Sequence, residues 1–271
     1  MPKTNPPDAV DFEQSRDYVQ SLARGLSVLR AFSQEYPRMN LSQVAERTGL
    51  SRAAARRLLL TLQHLGYIRA DGRTFTLSPK VLELGYSYLG ALNLTDLTQP
   101  IVEALSRQLN ESCSLAVLDG HDIVYVVRVP VRRIMTVSLG VGARLPAFCA
   151  SLGRVLLSQL KPAELKTWLA ELKPQKFTPH THLQKDKIRA AIELARAQGY
   201  SYVEQELELG LCSLAVPIRD PQGRIMAALN VSTPYRPQVA EYARQELLPA
   251  LQKAAKRIER SIHSSGLPGS R

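Results

Sequence analysis

Arg52, Arg56 and Arg57 fall, with Ala53, in one sector of a helix that Ser51 opens in the stretch NLSQVAERTGLSRAAARRLLLTLQHLGYI, Asn40 to Ile68. A guanidinium pairs with phosphate and also grips guanine O6 and N7 through two parallel hydrogen bonds, so such a sector suits recognition of duplex nucleic acid. At about 100° per residue, Ala55, Leu58, Leu62 and Leu65 fall in another sector and face a core, whereas Leu60 lies among the arginines. An ordinary helical hairpin with a solvated basic face shows the same pattern. The whole chain leans the same way, with 35 Lys and Arg against 24 Asp and Glu, a formal charge of +11 and a pI near 9.8. That balance favours partners of dense negative charge, nucleic acid or an anionic membrane surface.

The arginines need elements to hold them. Asn40 caps a short helix in a variant capping box with Gln43; Val44 and Ala45 form its inner face, and Gly49 permits the sharp turn that follows. Ser51 caps the second helix. Two helices joined by a short glycine-containing turn, the second presenting arginines from its first turns, describe a helix-turn-helix that reads base edges. The next segment, GYIRADGRTFTLS, alternates apolar residues around Asp71-Gly72 and gives a hairpin with strands near Tyr67 to Ala70 and Thr74 to Leu77. A hairpin there is a wing, with Arg69 and Arg73 placed to touch backbone or minor groove. Leu22, Leu26, Leu29 and Phe32 recur at helical spacing and give a first helix packing behind the reader.

A second constellation lies in ARLPAFCASLGRVLL. Ala150 and Ser151 precede a helix whose first amides can receive a carboxylate, with the Ser151 hydroxyl added; a plain helix cap without ligand reads equally well. Asn230 and Ser232, two apart on a strand, point to one face. Catalytic patterns are missing: Ser151 has no G-x-S-x-G setting, and GVGARL lacks the lysine and spacing of a phosphate-binding loop. His180-x-His182 has no acidic or cysteine companion at metal-ligand spacing, so no metal and no cofactor is expected. Cys113, Cys149 and Cys212 stand far apart, which fits a reducing cytoplasm. No apolar run approaches about 18 residues, and the polar, proline-rich start carries no signal-peptide core.

At 271 residues, 45% of them hydrophobic, the chain can fill the cores of two domains. Ser78-Pro79 opens a largely apolar helix carrying Val81, Leu82, Leu84, Leu89 and Leu92 to about Asn93, either a linker or a helix packed on its own domain. Beyond it the pattern becomes mixed. A helix covers about Leu97 to Asn110, and strands follow in CSLAVLDG, IVYVVRVP and RIMTVSLG. Helices come next near Ser151 to Gln159, Pro162 to Leu172 and Lys185 to Gln198. Strands then occupy Tyr200 to Glu204, Leu211 to Arg219 and Arg224 to Ser232, with a turn at Asp220 to Gly223, before a last helix from Val239 to His263.

Taken in order, SLARGLSVL (Ser21 to Leu29), the helix-turn-helix, the wing, LSPKVLELGYSYL, VGARLPAFCASLGRVLLSQL and QELELGLCSLAVPIRDPQGRIMAALNVST resemble the IclR-type transcriptional regulators over residues 18 to 262. Within that family the chain is most similar to the branch controlling protocatechuate and 4-hydroxybenzoate breakdown through the β-ketoadipate pathway. The resemblance implies a GAF-like effector domain with its pocket between sheet and loops, and a linker helix that helps pair subunits. It also implies effector contacts at Ser151, Leu152, Glu204, Leu211, Ser213, Asn230 and Ser232. Val203 departs from the pattern, because glyoxylate-responsive members carry an acid there; a longer or more aromatic ligand follows. Arg144 of GARLP is either a ligand contact or half of a structural ion pair.

The expected architecture is α+β: a flexible arm (1–17), a winged helix-turn-helix (18–78), a linker helix (79–93) and a GAF-like effector-binding domain (94–265). The expected function is effector-responsive regulation of aromatic-acid catabolic genes, without catalysis. The expected partners are an operator with inverted half-sites, a small organic acid of the protocatechuate, 4-hydroxybenzoate or β-ketoadipate class, and further copies of the chain as a homodimer or homotetramer, with no membrane. Two rivals remain at this point, an enzyme acting on a small aromatic acid and an architectural nucleic-acid protein.

Overall fold

The computed structural model describes residues 12–33, 35–85, 94–131 and 140–264, and the chain divides into two compact units between Tyr88 and Leu89. The first unit packs helices α1 (Gln20–Ala31), α2 (Leu41–Thr48) and α3 (Arg52–His64) against a small antiparallel sheet of β1 (Arg38–Asn40), β2 (Ile68–Asp71) and β3 (Thr74–Leu77). Asn40 caps α2 as expected: its Oδ1 accepts from Gln43 N at 3.0 Å while Gln43 Oε1 accepts from Asn40 N at 2.8 Å. Gly49 ends the helix at φ +68°, a left-handed conformation that side chains resist. Ser51 then caps α3, accepting from Ala54 N at 3.2 Å. These local signals fix the turn before any tertiary contact acts.

Three details differ from the sequence expectation. Strand β1 was not anticipated; it is three residues long and exists because it pairs with the outer edge of β3, Met39 opposite Phe75. On α1 the core receives Val28, Ala31 and Phe32, whereas Leu22 and Leu26 are 62% and 46% exposed. Packing partners meet only the last turns of that helix, so the apolar stripe is right in period and wrong in its first half. On α3 the buried residues are Ala55, Leu59 and Leu62, while Leu65, past the end of the helix, is exposed. Ser78 caps a short 3-10 turn, Pro79–Val81, with residues 82–85 helical after it, and Leu82 and Leu84 exposed; the rest of the expected linker helix, with Leu89 and Leu92, lies outside the described residues. So do most of the expected arm and the strand expected in RIMTVSLG.

The second unit is built on a six-stranded antiparallel sheet in the order β6-β5-β4-β9-β8-β7. Its strands are β4 (Ser112–Asp119), β5 (Asp122–Val129), β6 (Arg144–Pro146), β7 (Ser201–Glu204), β8 (Leu211–Arg219) and β9 (Ile225–Pro234). Helix α4 (Leu94–Leu109) and the final helix α9 (Leu248–Ser264) cover one face, against Cys113, Leu115, Val127, Leu214, Leu229 and Val231. Helices α5 (Ser151–Leu157), α6 (Pro162–Glu171) and α7 (Lys185–Gln198) cover the other, against Ala116, Tyr125, Ala215 and Ala228. Because successive strand residues point to opposite faces, each central strand serves both cores. The last helical stretch is interrupted: α8 (Val239–Tyr242) passes through a π turn, Ala243–Leu247, before α9. Pro249 lacks an N–H and its ring crowds the turn before it; the widened turn, with Leu248 N reaching back to Ala243 O, accommodates it.

Candidate functional site

In the first unit Ser51, Arg52, Ala53, Arg56 and Arg57 are all exposed along α3. The core on the other side of the helix leaves the guanidinium groups in water, the state in which long basic chains are free to meet phosphate. Asp71 pairs with Thr74 across the hairpin, so Gly72 and Arg73 form the tip, with Gly72 at φ +58°. Arg69 and Arg73 are exposed there, while Asp71 forms its ion pair with Arg38 at 3.3 Å.

In the second unit a cavity of about 320 Å³ opens between the sheet and the start of α5. Cross-strand pairing explains its floor. One row runs Val203–Ser213–Ser232–Ser112 over β7, β8, β9 and β4; the next runs Ala215–Asn230–Ser114–Arg128 over β8, β9, β4 and β5. Directly opposed residues share a face, so two polar rows point to the same side. The Ser151 and Ser213 hydroxyls lie 2.6 Å apart, and Asn230 Nδ2 donates to Ser213 Oγ at 3.0 Å and to Ser232 Oγ at 3.3 Å. Asn230 and Ser151 are almost wholly buried. Leu152 and Leu211 add apolar wall.

Six of the seven expected effector positions thus line one cavity: Ser151, Leu152, Leu211, Ser213, Asn230 and Ser232. Glu204 does not; its carboxylate accepts from the Tyr202 hydroxyl at 2.8 Å on the neighbouring side of β7. Ser151 is the first residue of α5 rather than its cap, which is Ala150, and the helix is only seven residues long. Arg144 lies outside the cavity lining and forms ion pairs with Asp119 at 2.6 Å and Asp122 at 3.1 Å, the structural alternative raised for it.

Sequence reasoning missed Arg128, Glu111 and Glu206, which also line the cavity. A charged residue inside the apolar run IVYVVRVP was the available signal for Arg128. Glu206 meets Arg154 of α5 at 2.7 Å with both side chains nearly fully buried, and Arg154 Nε donates to Phe148 O at 3.0 Å. This pair ties the loop after β7 to the helix that forms the cavity roof. Burial, reinforced by Glu206, pushes the neighbouring Cys149 thiol up to about 12, so it stays protonated and serves as a small apolar wall residue. Among the described residues no group of three or more His, Cys, Asp or Glu could hold a metal, and no helix is long and apolar enough to cross a membrane.

Residues 21–72 match the IclR helix-turn-helix domain, and residues 86–260 match the bacterial transcriptional regulator IclR C-terminal domain. The Pca regulon regulatory protein of Pseudomonas putida is 42% identical over 246 residues, covering 90% of this chain and 84% of its own length. The p-hydroxybenzoate hydroxylase transcriptional activator of Acinetobacter baylyi is 35% identical over 254 residues, covering 92% of this chain and 94% of its own. Among solved structures, an IclR homolog from Microbacterium hydrocarbonoxydans complexed with 4-hydroxybenzoate aligns with a TM-score of 0.79 at 25% identity, covering 90% of this chain and 99% of that one.

Proposed function

The chain belongs to the IclR family of transcriptional regulators, and from that premise we propose that it controls genes for aromatic-acid breakdown by binding a small hydroxylated acid in the cavity of its second unit. It is a regulator and not an enzyme, as the family's members are. The observation that carries the effector reading is the linked polar set Ser151, Ser213, Asn230 and Ser232, of which Ser151 and Asn230 are buried and the other two half-buried, at the wall of a cavity that also presents apolar side chains such as Leu145, Leu152 and Leu211. Pockets of this kind, mostly apolar with a few convergent polar groups, are the usual form of small-ligand sites. One relative's name, p-hydroxybenzoate hydroxylase transcriptional activator, and the 4-hydroxybenzoate held by the Microbacterium homolog supply the chemical class, to which protocatechuate also belongs; β-ketoadipate, a keto dicarboxylate, is the contrasting acid.

A thermal-shift screen of those three acids with cis,cis-muconate and glyoxylate tests this. Saturation at about 100 times Kd stabilises the second unit by roughly 2.7 kcal/mol, since only the native state binds. A shift with glyoxylate alone would redirect the assignment to another carboxylate pathway.

For DNA, the proposal places the exposed face of α3 in the major groove, with Ser51, Arg52, Ala53, Arg56 and Arg57 toward bases and phosphates, and Arg69 and Arg73 against the backbone or minor groove. Subunits paired as a symmetric dimer, or as two dimers, meet inverted half-sites roughly 10 bp apart centre to centre or a multiple of it. Arg56→Ala is expected to weaken operator binding by roughly 1–3 kcal/mol, while Arg73→Ala mainly reduces the salt slope by about one. Footprinting and titration at matched salt check both, and undiminished affinity of Arg56→Ala would remove α3 from the interface.

A further inference from the structure

Two buried polar atoms in the wall of this cavity have no hydrogen-bond partner among the described residues: Arg128 Nε, a donor, and Asn230 Oδ1, an acceptor. Buried polar groups are nearly always paired, because leaving one unpaired is costly, and most so for a charged group. Ser114 is the cross-strand partner of both Arg128 and Asn230, so the two orphans flank it in one row. Arg128 is held in that row: its Nη1 donates to Ser114 Oγ at 3.0 Å, and its guanidinium lies 5.1 Å from the centroid of the Tyr125 ring. Asn230 has committed Nδ2 to Ser213 and Ser232, which leaves its oxygen to accept.

We propose that Arg128 is the carboxylate anchor of the cavity and that Asn230 Oδ1 receives the hydrogen of a ligand hydroxyl, so that the site selects a hydroxylated monocarboxylic acid. This rests on the reading of the cavity as the effector site. A carboxylate satisfies the orphaned Nε–H with a charge-assisted hydrogen bond. It therefore lies at β5, and the start of α5, where the Ser151 hydroxyl is already engaged by Ser213, meets the uncharged part of the ligand. Other charges in the wall favour one anionic group over two. Glu111, Glu206 and Glu208 also line the cavity; Glu206 is held by Arg154, and Glu111 Oε1 accepts from Thr233 Oγ1 at 2.8 Å. Against three carboxylates a second ligand carboxylate is repelled.

Isothermal titration of the full chain with 4-hydroxybenzoate, 4-hydroxybenzamide and benzoate tests the assignment, on the unaltered protein and on Arg128→Gln. The unaltered protein should bind 4-hydroxybenzoate about 10- to 100-fold more tightly than the neutral amide, and Arg128→Gln should lose most of that factor while binding the amide as before. Benzoate, lacking the hydroxyl, should bind the unaltered protein more weakly than 4-hydroxybenzoate. Equal loss for acid and amide, or none, overturns the anchor. The acid-to-amide comparison on the unaltered chain asks the same question should Arg128→Gln not fold: equal affinities overturn the proposal. If neither these three ligands nor any acid of the thermal-shift screen binds the unaltered chain, the effector reading itself falls, and the anchor with it.

Discussion

Glu206→Ala is expected to lower the stability of the second unit by about 3–5 kcal/mol. The loss comes from what remains. Arg154 is buried, its Nη2 meets Glu206 Oε2 at 2.7 Å, and alanine leaves the guanidinium charged, dry and half-bonded, since only Phe148 O still accepts from it. Glu206 Oε2 also accepts from His182 N at 3.2 Å, a second bond that alanine removes. Trp168 of α6, the chain's single tryptophan, donates its indole N–H to Gly120 O at 2.9 Å, so its fluorescence reports unfolding of this unit alone. Urea titration followed at Trp168 gives the number. Replacing both partners, Arg154→Met with Glu206→Leu, should recover most of the loss, because apolar groups of similar volume leave no stranded charge. A single-substitution loss below about 1 kcal/mol, the range of exposed pairs, would mean that water reaches the pair.

Gly153→Ala should be comparably harmful, with the opposite sign to the usual helix rule. In an open helix the change gains about 0.5–1 kcal/mol. Here an added Cβ would sit 2.1 Å from Ala147 O and 2.4 Å from Ala147 Cα, both backbone atoms with no rotamer to yield. Helix α5 or the turn before it must move, and the segment in question carries Cys149, Ala150, Ser151 and Leu152 of the cavity wall. We expect a loss of about 3 kcal/mol or slightly more, at the upper end of overpacking, together with weakened effector binding. For a unit of this size that corresponds to a fall in Tm of roughly 6–12 °C by calorimetry. A variant more stable than the parent would show that α5 can retreat freely from Ala147.

The readable parts of the sequence were those whose causes are local. Asn40 with Gln43, Gly49, Ser51 and the Gly72 turn each act within a few residues, and each stands where the sequence puts it. Asp220 likewise closes its turn with its own carboxylate, accepting from Gln222 N and Arg224 N, both at 2.9 Å. What escaped depends on partners distant in the chain. Strand β1 needs β3, and the outward turn of Leu22 and Leu26 depends on where α2 and α3 happen to stop covering α1. The cavity was half legible for the same reason. Asn230 and Ser232 share a face by period alone, but the row that adds Ser114 and Arg128 needs the register of Ser114 against Asn230, more than a hundred positions away, and the irregular β4–β5 pairing that sets Arg128 opposite Ser114. The charge inside the apolar run IVYVVRVP marks Arg128, but the run alone does not say which face of the sheet the guanidinium takes.

The division of each central strand between two faces also shapes how such a protein can change over generations. Ser112, Ser114, Arg128, Ser213, Asn230 and Ser232 face the cavity side of the sheet, while their neighbours Cys113, Val127, Leu214, Leu229 and Val231 hold the core beneath. If the cavity is the effector site proposed above, a point substitution in the first group alters taste for a ligand without thinning the core, so new effectors are within reach of single codon changes that leave a folded protein at every step. A one-residue insertion in β4 has the reverse outcome, bringing Cys113 and Leu115 into the cavity and driving serines into the hydrocarbon layer. Lineages descended from such a chain can therefore drift in specificity while the lengths of these strands stay frozen.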